Sequence, residues 1–349
     1  MRRMIANTKA NNSKPRRLRY LTFCAEGAID VLALRNAKII KRSAAKEYDT
    51  VVFFDFAPQA VDRTLAIIEG ANGFPTDFFN LVNLDYDHLP DSDQIGDMPR
   101  DKDETDATFK AEKNATLFTL FRESFPFDLI NLDVERYVIR PSEQLPGHLL
   151  SAWDKVLDWQ KRSRQHEKSQ YSLDEFTLFF TTKLGPAELP EPHRSSLIDV
   201  LEENVTQFPG LKEILITNYA SESAASLYAT DFESFLKLAV PKALVSRALA
   251  RDWILDLDLS YRGYKFDRSP PSSPAYTMMH YILHFKRCSP SIAAQINPHV
   301  LPAAIRVTYG NCVERIFVTP CEDVDVLKVP LEQELREGLA KLGAPAISE

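Results

Sequence analysis

The stretch YLTFCAEGAIDVLAL, Tyr20 to Leu34, decides the fold. Its first residues, with Arg19, make a short apolar and aromatic run, Arg19 to Phe23, that reads as a strand. Cys24-Ala25-Glu26-Gly27 follows as a turn carrying an acid and one glycine, and Ala28 to Asn36 then places Ile29, Leu32 and Ala33 on one helical face. Strand, turn and helix in that order open an α/β sheet that binds its ligand beyond the carboxyl ends of its strands. One glycine is too few for a dinucleotide-binding loop, and it can equally serve a turn that needs backbone freedom.

Outward from this unit the alternation continues. Thr50 to Phe54, TVVFF, is a second strand, and Pro58 and Gly70 bracket a helix with Val61, Leu65 and Ile68 as its buried stripe. Phe78 to Leu84 reads as a third strand. Residues 85–106 hold nine acids against Arg100 and Lys102 and read as a solvated loop. A helix over Ala111 to Ser124, a fourth strand FPFDLINLD at Phe125 to Asp133, a long helix carrying Leu149, Leu150, Trp153, Val156 and Leu157 with a basic end, and a fifth strand at Glu175 to Thr182 come next. Trp159, six residues after Trp153, falls off the buried face and is expected at the surface or in an interface.

Residues 190–251 read as a helical insertion. Two extended runs, Trp253 to Phe266 and Ala275 to Phe285, flank the prolyl loop RSPPSSP and make an antiparallel hairpin. A short strand at Arg315 to Thr319 and a charged helix from Pro330 to Leu342 end the pattern. The fold class is therefore α/β: a Rossmann-like sheet of parallel strands with a terminal antiparallel hairpin, covered by helices on both faces. Residues 1–17 form a basic tail expected to be disordered, 18–290 one domain and 291–349 a C-terminal extension.

The 349-residue chain has 44% hydrophobic residues, enough for a large core, and a net charge of -7, unlike a body that coats nucleic acid. Basic charge is local: Arg2, Arg3, Lys9, Lys14, Arg16, Arg17 and Arg19 carry no offsetting acid, a segment suited to polyanions, nucleic acid included, or to protein partners. Cys24, Cys288, Cys312 and Cys321 are scattered, which fits a reducing cytoplasm better than a zinc site or a disulfide framework. No apolar run reaches the ~20 residues of a membrane span, and the basic start lacks the apolar segment of a secretory signal.

Five strand-helix units closed by an antiparallel hairpin resemble the class I S-adenosylmethionine-dependent methyltransferase superfamily, over roughly Leu18 to Arg287. The resemblance implies S-adenosylmethionine as cofactor. It implies that Cys24, Ala25, Glu26 and Gly27 lie along the methionine and ribose parts, although only one of the usual two or three glycines is kept. Asp55 matches the acid that receives the ribose hydroxyls, a charge-assisted bond, while from its sequence position alone it can equally cap the helix after Pro58. Asp85 matches the reader of the adenine amino group, and Asp133 with Tyr137 the positions that meet the methyl acceptor. Amine-methylating members carry a proline-containing tetrapeptide there; Asp133-Val134-Glu135-Arg136-Tyr137 keeps the acid, lacks the prolines and has its aromatic residue one place late.

Other constellations are weaker. His280 and His284 have H-x-x-x-H spacing, but on a strand they stand about 13 Å apart at ~3.3 Å per residue, too far for one metal. Asp91, Asp93 and Asp97 do not follow the calcium-loop pattern, and neither Gly-x-Ser-x-Gly nor a phosphate-binding loop is present. The expected function is methyl transfer to an acceptor the sequence does not name, a nucleic-acid base amine among the candidates. The alternative is a methyltransferase-like scaffold without catalysis that serves as a subunit of an assembly.

Overall fold

The three residues of β1, Tyr20–Thr22, lie at the centre of one sheet. The computed structural model describes residues 18–23, 28–36, 39–40, 51–68, 70–83, 106–137, 148–162, 173–184, 193–207, 209–255, 261–268 and 276–287. Among these, the other strands are β2 (Val51–Asp55), β3 (Ala71–Pro75), β4 (Leu129–Tyr137), β5 (Glu175–Leu184), β6 (Trp253–Leu255), β7 (Tyr261–Arg268) and β8 (Tyr276–Arg287). The helices are α1 (Ile29–Asn36), α2 (Pro58–Ile67), α3 (Phe78–Val82), α4 (Asp106–Glu123), α5 (His148–Gln160), α6 (His193–Gln207), α7 (Pro209–Tyr219), α8 (Ala224–Thr230) and α9 (Phe232–Leu249).

The strand order is β3-β2-β1-β4-β5-β8-β6. β1 to β5 pair in parallel, and β8 runs antiparallel between β5 and β6. β6 and β7 share the outer edge of β8: β6 pairs with Phe285 to Arg287, β7 with Tyr276 to Ile282. This is the Rossmann-like sheet of parallel strands with terminal antiparallel strands expected from the sequence, and the first arm of the expected hairpin is divided into two strands.

Strand alternation sorts the core into two halves. Leu21, Val52, Phe54, Ile130, Leu132, Leu178 and Phe180 face α4, α5 and the helical insertion. Tyr20, Val51, Phe53, Leu129 and Phe179 face the other way, with Val31 and Leu34 of α1 and Val61 of α2. The strands are apolar on both sides because helices cover both faces.

Four expectations are corrected. The third strand is not Phe78 to Leu84: β3 is ANGFP, and FFNLV is the helix α3, started by Asp77, whose carboxylate accepts the Asn80 N–H at 2.8 Å. A Pro is tolerated in β3 because that strand is the sheet edge. β4 begins at Leu129, since the preceding backbone is satisfied by a side chain: Gln160 accepts from the Phe127 N–H and donates to its carbonyl at 2.7 and 2.8 Å. It then runs past Asp133 to Tyr137. The helix α4 begins at Asp106, ahead of Ala111. Trp159 is buried, 8% exposed, because Phe118 of α4 and Phe125 after it pack on its ring, with centroids 5.5 and 5.2 Å away.

The last turn of α5 holds no base either; Lys161 and Arg162 follow it, reaching Asp252 and the Arg122 carbonyl. The tail 1–17, the acidic segment up to Asp106, Asp85, Cys24 to Gly27 and the extension 291–349 with its expected strand and helix lie outside the described residues. Among the described residues no helix is long and apolar enough to cross a membrane.

Candidate functional site

The register of the central strands fixes which residues meet at their carboxyl ends. Thr22, the last residue of β1, is level with Phe53 of β2 and Asn131 of β4. Asp55 and Asp133 are each two residues further on, so they stand at one level, on the same face, on either side of the chain leaving β1. Two strand spacings separate them, about 9.6 Å.

Asp55 closes β2. Its Oδ1 accepts the Ala57 N–H at 2.9 Å, while Ala57 is the N-cap of α2 and Pro58 its first residue. The carboxylate thus turns the chain into the helix from two places before the cap. Phe56, next to it, is 63% exposed. The acid that follows β3 is Asp77, the cap of α3, which the sequence reading passed over in favour of Asp85. An acid just before an apolar run is the signal that identifies such a cap.

A polar network ties the start of α1 to β1 and β4. Asp30, in the first turn of α1, accepts the hydroxyls of Tyr20 and Thr22 on the same oxygen, both at 2.7 Å, and Asn131 Nδ2 donates to Thr22 Oγ1 at 3.3 Å. Burial, and then the Asp30 charge, push the Tyr20 phenol well above its ordinary range. Ala28, just ahead of α1, is buried with φ 48°, a left-handed conformation that disfavours side chains by roughly 1–2 kcal/mol.

Asp133 is exposed and opposite Thr181 of β5. Thr181 is in turn opposite His280 of β8, and its Oγ1 lies 2.8 Å from His280 Nδ1. Asp133, Thr181 and His280 therefore form one row across three strands, one pleat beyond the level where β1 ends. His280 stacks on Phe179, centroids 6.3 Å apart at 24°, and burial pushes its imidazole down to about 4. Two rungs below the Thr181–His280 pair, His284 meets Thr177 at 2.9 Å and Glu175 at 3.4 Å, so the two histidines share a face but hold separate partners. Tyr137 is the last residue of β4, paired with Lys183 after a bulge that follows Val134.

The structure thus brings Asp55 and Asp133 together around the end of β1 and adds Asp30, Asp77, Thr181 and His280. The period-two pattern of β5 and β8 placed Thr181 and His280 on strands, but only the register pairs them.

No protein-family model matches the chain, and no curated protein matches it in sequence. Among solved structures the chain is similar to the plantazolicin methyltransferase BpumL, crystallised with a pentazolic desmethylPZN analog and SAH, at 11% identity and a TM-score of 0.30, over 82% of this chain and 90% of that one.

Proposed function

We propose that the chain is a divergent S-adenosylmethionine-dependent methyltransferase. The observation that carries this reading is the pair Asp55 and Asp133, level with each other on one face, on the strands either side of β1 in a sheet ordered β3-β2-β1-β4-β5-β8-β6. Carboxylates converging on strand ends create a negative potential there, suited to a ligand with sulfonium and ammonium charges. The residues fit such a ligand: Asp55 has a carboxylate to offer ribose hydroxyls, and Asp77, the acid that follows β3, is placed to meet the adenine amino group.

Bound in this way, the cofactor supplies an already activated methyl group. What the chain contributes is position: Asp133 on the acceptor side, held by β4, sets an acceptor in line with that group. The test is equilibrium binding of S-adenosylmethionine to the full chain and to Asp55→Ala. Micromolar binding by the wild type and its loss in the variant support the reading; no binding to the wild type at millimolar cofactor refutes it and leaves the scaffold alternative, with its search for protein partners.

A further inference from the structure

We infer that β7 is a binding strand for single-stranded nucleic acid and carries an unpaired base toward Asp133. The second half rests on the methyltransferase reading; the first does not. Tyr261–Arg268 reads YRGYKFDR: Arg262, Lys265 and Arg268 stand against the one acid Asp267, interleaved with Tyr261, Tyr264 and Phe266. β8, its partner in the sheet, contains no acid. In a chain of net charge -7 these cations are a local concentration, of the sign that a phosphate backbone complements. Edge strands carry cations to repel other strands, but three aromatic residues among them work against that purpose. The aromatic residues also select among polyanions, because rings stack on unpaired bases, which duplexes, acidic peptides and anionic lipids do not offer. From Arg262 to Phe266 the order base, glycine, aromatic, any residue, aromatic is that of a base-stacking strand motif of RNA-binding sheets, with Lys265 where that motif has a small residue.

Placement ties this strand to the candidate site. Among the described residues β7 pairs with β8 alone, so it is an edge of the sheet. It runs along Tyr276 to Ile282, the part of β8 level with the carboxyl half of β5, while β6 pairs at the other end. The edge is therefore at the same end of the sheet as Asp55 and Asp133. The pairing slips between Arg262 and Lys265, so that Gly263 and Tyr264 stand against the single residue His280, a bulge. That bulge falls in the row of Asp133, Thr181 and His280, three strand spacings or about 14 Å from Asp133. Tyr261, Phe266 and Arg268 are level with Ile282, Met278 and Tyr276, which alternate with His280, so by register they belong to the sheet face of Asp133.

The test uses the full chain and short fluorescein-labelled RNA and DNA oligonucleotides of mixed sequence, single-stranded and annealed, with anisotropy read across a range of salt. The expected result is that single strands bind better than duplexes and are not displaced by polyglutamate; either polymer supports the inference, and the preferred one is the source of the base. Tyr264→Ala and Phe266→Ala are each expected to weaken binding about tenfold, the worth of one stacked base. Replacing Arg262, Lys265 and Arg268 together by Gln is expected to flatten the slope of log K against log salt by about 2, at ~0.7 per phosphate contact. A second measurement leaves the fold untouched: a thiouridine oligonucleotide photocrosslinked to the unaltered chain is expected to mark Tyr261–Arg268 in mass spectrometry. Absence of binding, equal competition by polyglutamate, or crosslinks confined to residues 1–17 overturns the inference, and the methyltransferase reading then stands or falls on calorimetric cofactor binding. Crosslinks on β7 in a chain that binds no cofactor overturn that reading and keep β7 as a nucleic-acid strand.

Discussion

Tyr20 and Asp30 are joined hydroxyl to carboxylate at 2.7 Å, and Thr22 brings its hydroxyl to the same oxygen. One helical acid thereby ties α1 to β1. Tyr20 is 3% exposed and Thr22 fully buried, so Asp30→Ala leaves two hydroxyls without their acceptor and is expected to destabilise by about 1–3 kcal/mol. Tyr20→Phe removes the donor together with its need and is expected to destabilise less, about 1 kcal/mol. Urea midpoints compare the two. The phenol is raised in the folded state, so its contribution is complete below the ordinary tyrosine value of 10.0 and is lost as pH climbs above it; Tyr20→Phe lacks that alkaline decline.

Gly73 is where β3 passes closest to its neighbours. A Cβ there would lie 2.5 Å from Val61 Cγ1 and 2.6 Å from Phe53 Cζ, and both side chains are buried, at 3% and 0% exposure. Neither has room to withdraw. Gly73→Ala is expected to destabilise by about 1–3 kcal/mol, the range of an overpacked core, with α2 pushed off the sheet. An unchanged thermal midpoint would show that Val61 yields freely.

That glycine also explains what the sequence concealed. TVVFF and EFTLFFTT declare themselves because central parallel strands are buried on both faces and must be apolar throughout. ANGFP does not, since an edge strand tolerates Pro75 and the close approach to Phe53 and Val61 demands a glycine, both poor strand signals. The adjacent FFNLV, apolar but capped by Asp77, then took the strand's place in the reading. Asp55 was legible because its strand was, and Asp133 was located but misjudged as a strand end, because only the register tells where β1 stops beside β4. Thr181 with His280, and Asp30 with Tyr20 and Thr22, depend on pairing between distant segments, which no local pattern encodes.

On the proposed reading, the end of β3 at Pro75 makes Asp77 the acid to test for cofactor binding beside Asp85. Asp77→Ala is expected to weaken S-adenosylmethionine binding about tenfold, one hydrogen bond's worth, and to cost about 1 kcal/mol of stability through the lost cap of α3. Asp77→Ser keeps a capping oxygen and separates the two effects: stability recovers and binding does not. Asp85→Ala is expected to leave affinity unchanged. Calorimetric titration of the three variants decides it, and weakening by Asp85→Ala alone would return the role to that residue.

Lys242 gives a prediction independent of any ligand. It follows Pro241 in α9, is 3% exposed, and is pushed by burial from 10.5 down to about 7, with Glu203 of α6 opposing that shift. The folded state thus resists its charge. Because the folded value lies below the unfolded one, stability is greatest above about pH 10.5 and declines as pH falls toward 7, with a limiting slope of about 1.4 kcal/mol per pH unit. Lys242→Met keeps the length of the side chain and removes the charge. Glu203 is exposed and stays solvated without its partner, so the variant is expected to be more stable at pH 7, by about 1–4 kcal/mol. Denaturant titrations at pH 7 and 10 measure both parts: the variant's advantage should shrink as pH rises. An advantage that is the same at both pH values would mean that the ammonium is solvated in the folded chain, and that the gain comes from packing alone.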